Sequence, residues 1–432
     1  MKGSRETITK LLIPIFVCAF SQSVLAAPIE LSLEDSIALA FKNNPNISIA
    51  NSSREKSYWA VEQAKAVKGF SLDFTHSDKR YNSSPSYLNS LEQYTYYTKF
   101  DNSISLSLPI YSGGKLESQI DQAKLNLKVS DLNIDATKQQ IKQCVTTYYF
   151  SVLQYHNALQ VSQETVDNYL SHLKNVQAQY KAGMTPKSDV LSSEVSLANA
   201  QNSLIKAQNN YALAVANLNN AIGLSLDSEI KLNEDLQYEQ YSQTLSDCEK
   251  YALANRPEMA QYQAKIAIAE YDGKIAKSSY QPTVSFAATE DWYDKEFSSL
   301  SHNNWLVSLT ASFNIFDSGL VNSKVNQSKA SLDTAQEQAR QERDTILLEV
   351  RQYYLSMYEA EKRIDTSKVA VDQAKESLRI AEVRYAAGVG TNLDVLDALL
   401  SQNTAKTNYI QALYDYNTNK AQLDKAMGVA VK

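Results

Sequence analysis

The chain has 432 residues, 44% hydrophobic and 21% charged, with 48 acids against 42 bases and a formal charge of −6. That acidic balance argues against nucleic acid as a partner. Only 11 Gly and 8 Pro, among much Ala, Gln, Asn and Leu, suit long uninterrupted helices rather than a loop-rich scaffold.

Lys2, Arg5 and Lys10 precede an apolar stretch from Leu11 to Phe20, and Val24-Leu25-Ala26 offers small residues for cleavage. This reads as a secretory signal peptide, residues 1–26, too short to span a bilayer. Removing it takes three bases and one acid, so the mature balance is −8. Beyond it no apolar run approaches the length of a transmembrane helix. Two cysteines remain, Cys144 and Cys248, which export would allow to pair. Their 104-residue separation favours small buried thiols on helix faces instead.

Leu33 to Asn43 has helical spacing and stops at Asn44-Pro45, and Leu245 to Asn255 stops in the same way at Arg256-Pro257. A residue before proline is pushed out of the helical region, so a sharp bend follows each short helix. Helical patterning resumes over Asn46–Lys68 and Glu258–Ser278. The period then changes to two. Phe70, Leu72 and Phe74 alternate with Ser71, Asp73 and Thr75, and Ile104, Leu106 and Leu108 alternate with Ser103, Ser105 and Ser107. Val284 and Phe286, then Trp305, Val307, Leu309, Ala311 and Phe313, repeat the pattern later. These are two hairpins, residues 69–109 and 282–315, with strands of about ten residues, enough for a tilted strand to cross a bilayer. Tyr94, Tyr96, Tyr97, Tyr111, Trp292, Tyr293 and Phe316 fall near strand ends, where membrane interfaces favour aromatics; soluble sheet edges carry such pairs too.

Each hairpin enters a helix through Ser112-Gly113-Gly114 or Asp317-Ser318-Gly319. The Gly-Gly-Lys here lacks the other residues of a phosphate loop, so it reads as a capped strand-to-helix junction. Ile141, Val145, Tyr148, Val152, Tyr155, Leu159, Ser162, Val166, Tyr169, Leu173, Val176 and Tyr180 then recur at alternating spacings of four and three. Ile346 to Tyr385 repeats the pattern. A period of 3.5 held this long is a coiled-coil seam. The helix ends in Y-K-A-G-M-T-P-K-S-D-V-L from Tyr180 and Y-A-A-G-V-G-T-N-L-D-V-L from Tyr385, each the far turn of a helical hairpin (112–222 and 317–428).

Gly183, Asp189, Val190 and Leu191 stand 205 residues ahead of Gly388, Asp394, Val395 and Leu396, an offset that also joins Gly114 to Gly319 and Gly223 to Gly428. Two tandem repeats follow, residues 27–223 and 258–432, with an equatorial linker at 224–257. The long helix, near 70 residues, reaches on the order of 100 Å; Lys187–Ile222 returns about half that way. The rest of its path is expected from Glu258–Ser278, and that of Asn392–Met427 from Asn46–Lys68. Four strands leave open edges that lipid does not tolerate, so several copies must close the sheet; two give eight strands and three give twelve, with room for a passage.

The signal peptide, the duplicated helix–strand–strand–helix order, the Asn44-Pro45 and Arg256-Pro257 bends and the two Y-x-x-G-x-x-x-x-x-D-V-L tips resemble the TolC family of outer-membrane efflux proteins over essentially the whole mature chain. The resemblance implies an α+β membrane protein in the cell outer membrane. Long antiparallel coiled-coil helices would form a helical barrel in the periplasm. A transmembrane β-barrel, four strands per chain, would be completed by a homotrimer in outer-membrane lipid. It implies an exit duct for a tripartite efflux or type I secretion system, docked at its tips by a periplasmic adaptor with an inner-membrane efflux pump or ABC exporter behind. It further places Asp394 and Asp397 in an acidic ring at the periplasmic entrance and Tyr385 and Asp189 at its constriction. Gly183, Met184, Val190, Leu191, Gly388, Val389, Val395 and Leu396 become adaptor-docking tips. Gly390 stands where some members carry a gating arginine, and with four residues after Gly428 no C-terminal addition to the midway belt is expected.

From the residues alone, Asp394 and Asp397 share a helix face near an N-terminus, where their charge also complements the helix dipole. The four histidines, His76, His156, His172 and His302, show no metal-ligand spacing, Gly388-Val389-Gly390 is no dinucleotide loop, and no nucleophile stands out. No enzyme activity or cofactor is expected. The competing reading is a structural coiled-coil stalk or surface protein without transport activity.

Overall fold

The computed structural model describes residues 29–83, 95–294, 296 and 302–430; the expected signal peptide, Tyr94 and the side chains of Tyr96 and Tyr97 lie outside what is described. The elements run β1 (Ile29–Leu31), α1 (Leu33–Asn43), α2 (Pro45–Ala66), β2 (Ser71–Ser83), β3 (Thr95–Tyr111), α3 (Lys115–Lys181), α4 (Lys187–Ile222), β4 (Ile230–Leu232), α5 (Leu245–Asn255), α6 (Pro257–Ser278), β5 (Thr283–Asp294), β6 (His302–Ser312), α7 (Leu320–Ala386) and α8 (Asn392–Met427). Helix lengths match in pairs: α1 and α5 have 11 residues, α2 and α6 have 22, α3 and α7 have 67, and α4 and α8 have 36. Cys144 and Cys248 are free thiols, the second fully buried.

The bends fall where proline predicts. Asn44 and Arg256 are extended, each immediately before the Pro that opens the next helix. Their partners overturn one expectation. The Asn43 and Asn44 amides donate to the Ile222 and Ala221 carbonyls at the end of α4, whereas Arg256 reaches the Ala426 carbonyl at the end of α8. So α2 continues the line of α4 and α6 continues that of α8, the reverse of the expected pairing. The physical reason is the linker. Residues 224–244 run a long lateral course, with β4 pairing in parallel with β1, and deliver α5 against α7 and α8.

The four strands form one antiparallel sheet in the order β2-β3-β5-β6. The strands have 13, 17, 12 and 11 residues, so all are longer than the expected ten, β3 by the most. Alternation sorts the faces. Leu72 pairs with Leu106, Phe74 with Ile104, Phe286 with Leu309 and Ala288 with Val307, giving an apolar face. The other face joins Ser71 to Ser107, Thr75 to Ser103 and Ser103 to Asp291, and the Ser71 and Ser107 hydroxyls lie 2.8 Å apart. The apolar face is open, with Phe74 66%, Leu309 69% and Trp305 74% exposed. Pro109 and a register shift before Tyr111 lie beyond the last β2 rung, where a missing N–H interrupts no β2–β3 ladder bond.

The strand-to-helix junctions are capped as expected: Ser112 Oγ accepts from the Leu116 N–H, and Asp317 accepts from Gly319 and Val321. They differ in one residue. Gly113 is left-handed, and a Cβ there would sit 2.6 Å from the Ser278 carbonyl oxygen. At the matching position Ser318 takes φ 53°, the sole non-glycine residue with positive φ among those described. A left-handed L-residue costs roughly 1–2 kcal/mol. Ser318→Gly is therefore expected to raise stability by about 1 kcal/mol, read as a higher heat-dissociation midpoint; an unchanged or lower midpoint would show that the strain is not there.

Two buried clusters hold the helices. The larger lies at mid-length, where Val145, Tyr149, Leu218, Ile346, Val350 and Tyr416 are fully enclosed. Each such side chain contributes about 1.5–3 kcal/mol. There α3 buries Thr146, Tyr149 and Leu153 in addition to seam residues Val145 and Val152, because α1 and the linker cover a second face. The smaller cluster lies at the far turns. Between the sheet and mid-length the long helices bury little: on α3 only Ser118 before Gln139, and on α7 only Val321 and Val325 before Ile346.

Candidate functional site: the paired helical tips

Each long helix ends in a left-handed glycine. In the first tip the Gly183 N–H donates to Tyr180 and the Met184 N–H to Gln179; in the second Gly388 and Val389 donate to Tyr385 and Arg384. Both are helix-ending motifs that satisfy the last carbonyls and reverse the chain. Pro186 occupies the N-cap of α4 and supplies no side-chain cap. Asp189 is instead held by the Thr185 hydroxyl at 2.8 Å. At α8, Thr391 and Asp394 make a capping box, with Asp394 Oδ2 accepting from the Thr391 N–H at 2.9 Å and Thr391 Oγ1 from the Asp394 N–H at 3.1 Å. The Thr391 bonds hold the Asp394 carboxyl below its ordinary range, and Arg384 lowers it further.

The expected site residues divide by burial. Asp394 and Asp397 are both exposed on one face. Asp397 lies near enough that its charge, after burial, helps raise the Tyr169 hydroxyl. Met184 (78%), Val389 (67%) and Leu191 (51%) stand in solvent beside exposed Gly183 and Gly388. Val395 and Leu396 do not: both are buried in the tip cluster, and Val190 packs on it. They belong to the helix face opposite the aspartates and form the tip's core rather than its docking surface. Tyr385 is also buried, its ring 5.3 Å from that of His172. Its hydroxyl is enclosed without a well-formed hydrogen bond, with Thr185 and Asp189 as polar neighbours. The expected constriction tyrosine thus anchors one helix pair to the other. Tyr180, its counterpart, is 44% exposed.

One group escaped the sequence reading. Asn392, one residue into α8, is buried between the helix pairs. Its Nδ2 donates to the Asp189 carbonyl at 3.2 Å and to Ser192 Oγ at 3.0 Å. Its Oδ1 faces His172 Nε2 at 2.6 Å and Ser193 Oγ at 3.2 Å. The available signal was a histidine and an asparagine on otherwise apolar tip faces. An open groove of about 430 Å³ between the two turns, lined in part by Met184, Thr185, Tyr385, Gly388 and Leu393, completes the tip.

The outer membrane efflux protein family matches residues 36–224 and 250–429. Among known proteins the chain is similar to outer membrane protein TolC of Escherichia coli (strain K12), 22% identical over 405 residues, which cover 89% of this chain and 80% of the relative. It is also similar to alkaline protease secretion protein AprF of Pseudomonas aeruginosa, 22% identical over 347 residues, 77% of this chain and 70% of the relative. Its fold superposes on the Campylobacter jejuni CmeC outer membrane channel with a TM-score of 0.81 at 17% identity, covering 92% of this chain and 85% of the other. For the outer membrane protein VceC of Vibrio cholerae the TM-score is 0.79 at 18% identity, covering 93% and 97%.

Proposed function

The chain belongs to the outer membrane efflux protein family, and from that premise we propose that three copies close their four-stranded sheets into one barrel whose passage continues through the paired helices to an acidic entrance at the tips. The protein is an outer-membrane exit duct of the efflux and secretion type, with a long helical periplasmic extension, and not an enzyme. The observation that carries the barrel is the sheet itself. One face is apolar and open, the other is a run of serines, and β2 and β6 each have one unpaired edge. Neither edge nor apolar face is stable in isolation; joining sister sheets edge to edge in lipid satisfies both. The sparse burial along the upper halves of α3 and α7 fits helices whose remaining contacts come from neighbouring copies.

In this reading residues 27–223 and 258–432 are structural repeats around the equatorial segment 224–257. The exposed Gly183, Met184, Leu191, Gly388 and Val389 form the surface for a periplasmic adaptor, which links the duct to an inner-membrane pump. A stalk protein has no use for a sheet with one lipid-compatible and one water-compatible face.

Asp394 and Asp397 from three copies would gather six carboxylates at the entrance. Each pair about 7 Å apart in water repels by only about 0.6 kcal/mol, but several pairs in a narrow pore add up and attract cations. In planar bilayers the purified protein is expected to conduct, favour cations, and be blocked by multivalent cations from the tip side. Asp394→Asn/Asp397→Asn keeps an acceptor for the Thr391 cap and removes the charge. It should weaken that block about tenfold, the effect of losing roughly 1.4 kcal/mol. Unaltered block in the variant would remove these residues from the entrance; a protein that never conducts would end the duct reading.

A further inference from the structure

Asn392 spends its whole hydrogen-bonding capacity across the tip. An amide has two donors and two acceptor sites, and here they meet two partners on α4 through Nδ2, and one on α3 and one on α4 through Oδ1. The Asp189 carbonyl can only accept, so Nδ2 must face it and Oδ1 must face the histidine. That fixes His172 as the Nε2–H tautomer, donating to Asn392. The Ser193 proton is shared between the Asp189 carbonyl at 2.8 Å and Asn392 at 3.2 Å. Asn392, His172 and Ser193 are 5%, 6% and 1% exposed, so no water substitutes when a bond breaks. Gly390, two residues earlier, brings no side chain to hold the turn. Further up the helices Lys406 donates to Glu164 and Gln154 to Gln411; nearer the turns, among the described residues, the Asn392 cluster carries the side-chain hydrogen bonds between α7–α8 and α3–α4.

We propose that Asn392 and His172 form a latch within each chain that holds the α7–α8 tip against α3–α4, closed while the imidazole is neutral and released when it takes a second proton. The proposal rests on the duct reading only for its consequence, a change in how readily the entrance widens; the latch itself is a property of one chain. The second proton must go to Nδ1, inside the tip cluster. Burial lowers the His172 imidazole from its ordinary value, against opposing contributions from the Asn392 bond and the Glu382 charge. The groups facing it are Tyr385 and Glu382 on α7, Asn392 on α8, and Ser193 with the Asp189 carbonyl on α4. The Asp189 carboxylate is turned away, onto Thr185. A group whose closed-state value is lowered binds protons better once released. The latch therefore has full strength above the ordinary imidazole value of 6.5 and loses it as pH falls below.

The test is amide hydrogen exchange of the assembled mature protein at pH 7.5 and 5.5, corrected for intrinsic exchange and read at residues 178–193 and 385–399. At pH 7.5, Asn392→Ala should exchange about tenfold faster there, the effect of stranding one buried donor. The wild-type tip should exchange faster at pH 5.5 than at pH 7.5. His172→Gln keeps an N–H for Asn392 and cannot titrate, so its protection should be the same at both pH values. A wild-type tip indifferent to acid, or a His172→Gln tip that responds to acid as wild type does, would overturn the latch even if Asn392→Ala failed to assemble. Bilayer conductance measured in parallel bears on the duct alone: faster exchange without any conductance keeps the latch and discards the duct.

Discussion

Leu309→Arg is expected to abolish assembly of the protein in the outer membrane, whereas Ser308→Arg, one residue away, should assemble. Leu309 is the middle of the apolar row Trp305, Val307, Leu309, Ala311 and Phe313, and it pairs with Phe286 across the ladder. The row covers about 25–30 Å along the strand, less once tilted, so Leu309 falls near the centre of the apolar band. An arginine there costs roughly 2–4 kcal/mol, and the proposed three-copy barrel would carry that cost three times. Ser308 pairs with Ala287 on the opposite face, the one lined by Ser105 and Ser107. A charge there meets water and changes selectivity rather than insertion. Heat-modifiable oligomers in outer-membrane fractions report both outcomes. Normal assembly of Leu309→Arg would mean that the apolar face does not contact lipid.

The second large effect is at the bend between α5 and α6. Arg256→Ala should destabilise the protein by about 3 kcal/mol. The guanidinium is 4% exposed, 3.1 Å from Glu258 and 2.6 Å from Glu349 of α7. These partners outweigh its burial, and the group is held more firmly charged than usual. Removing it leaves two carboxylates facing each other beside a cavity, and loses the bond to the end of α8. Breaking a buried pair from one side costs about 3–5 kcal/mol. The lower end applies, because Glu258 and Glu349 are 23% and 33% exposed and reach water. Asn44→Ala, at the matching bend, removes two neutral bonds, the one to Ala221 and the Oδ1 cap on the Asn46 N–H, and should cost about 2 kcal/mol. Denaturant midpoints of the two variants measure the difference; equal losses would show that the charge network adds nothing.

The contrast between these two bends shows how far the sequence could be read. The short helices α1 and α5 end where expected because proline acts on its immediate neighbour. The α4 and α8 bounds follow from Pro186, Gly223, Thr391 and Gly428 for the same local reason. The sheet faces were legible because alternation is a two-residue property. Errors begin where a contact partner is distant. The expected continuation of α4 by α6 followed chain order, but Asn43 and Asn44 bond to a helix end 179 and 177 residues away. At the tips, Val395 and Leu396 carry a shared motif that suggested docking, yet the helix turn directs them inward while Asp394 and Asp397 face out.

By itself the sequence determined the kinds of element, their ends, the long seam and the two-faced sheet, because each depends on residues within a turn or a strand rung of one another. Only the tertiary structure decided that Tyr385 is enclosed while Tyr180 is exposed, and that Asn392 meets a histidine 220 residues earlier in the chain. Those outcomes depend on which helix pair packs against which, and a buried polar side chain takes its meaning from whatever packing brings within hydrogen-bond reach.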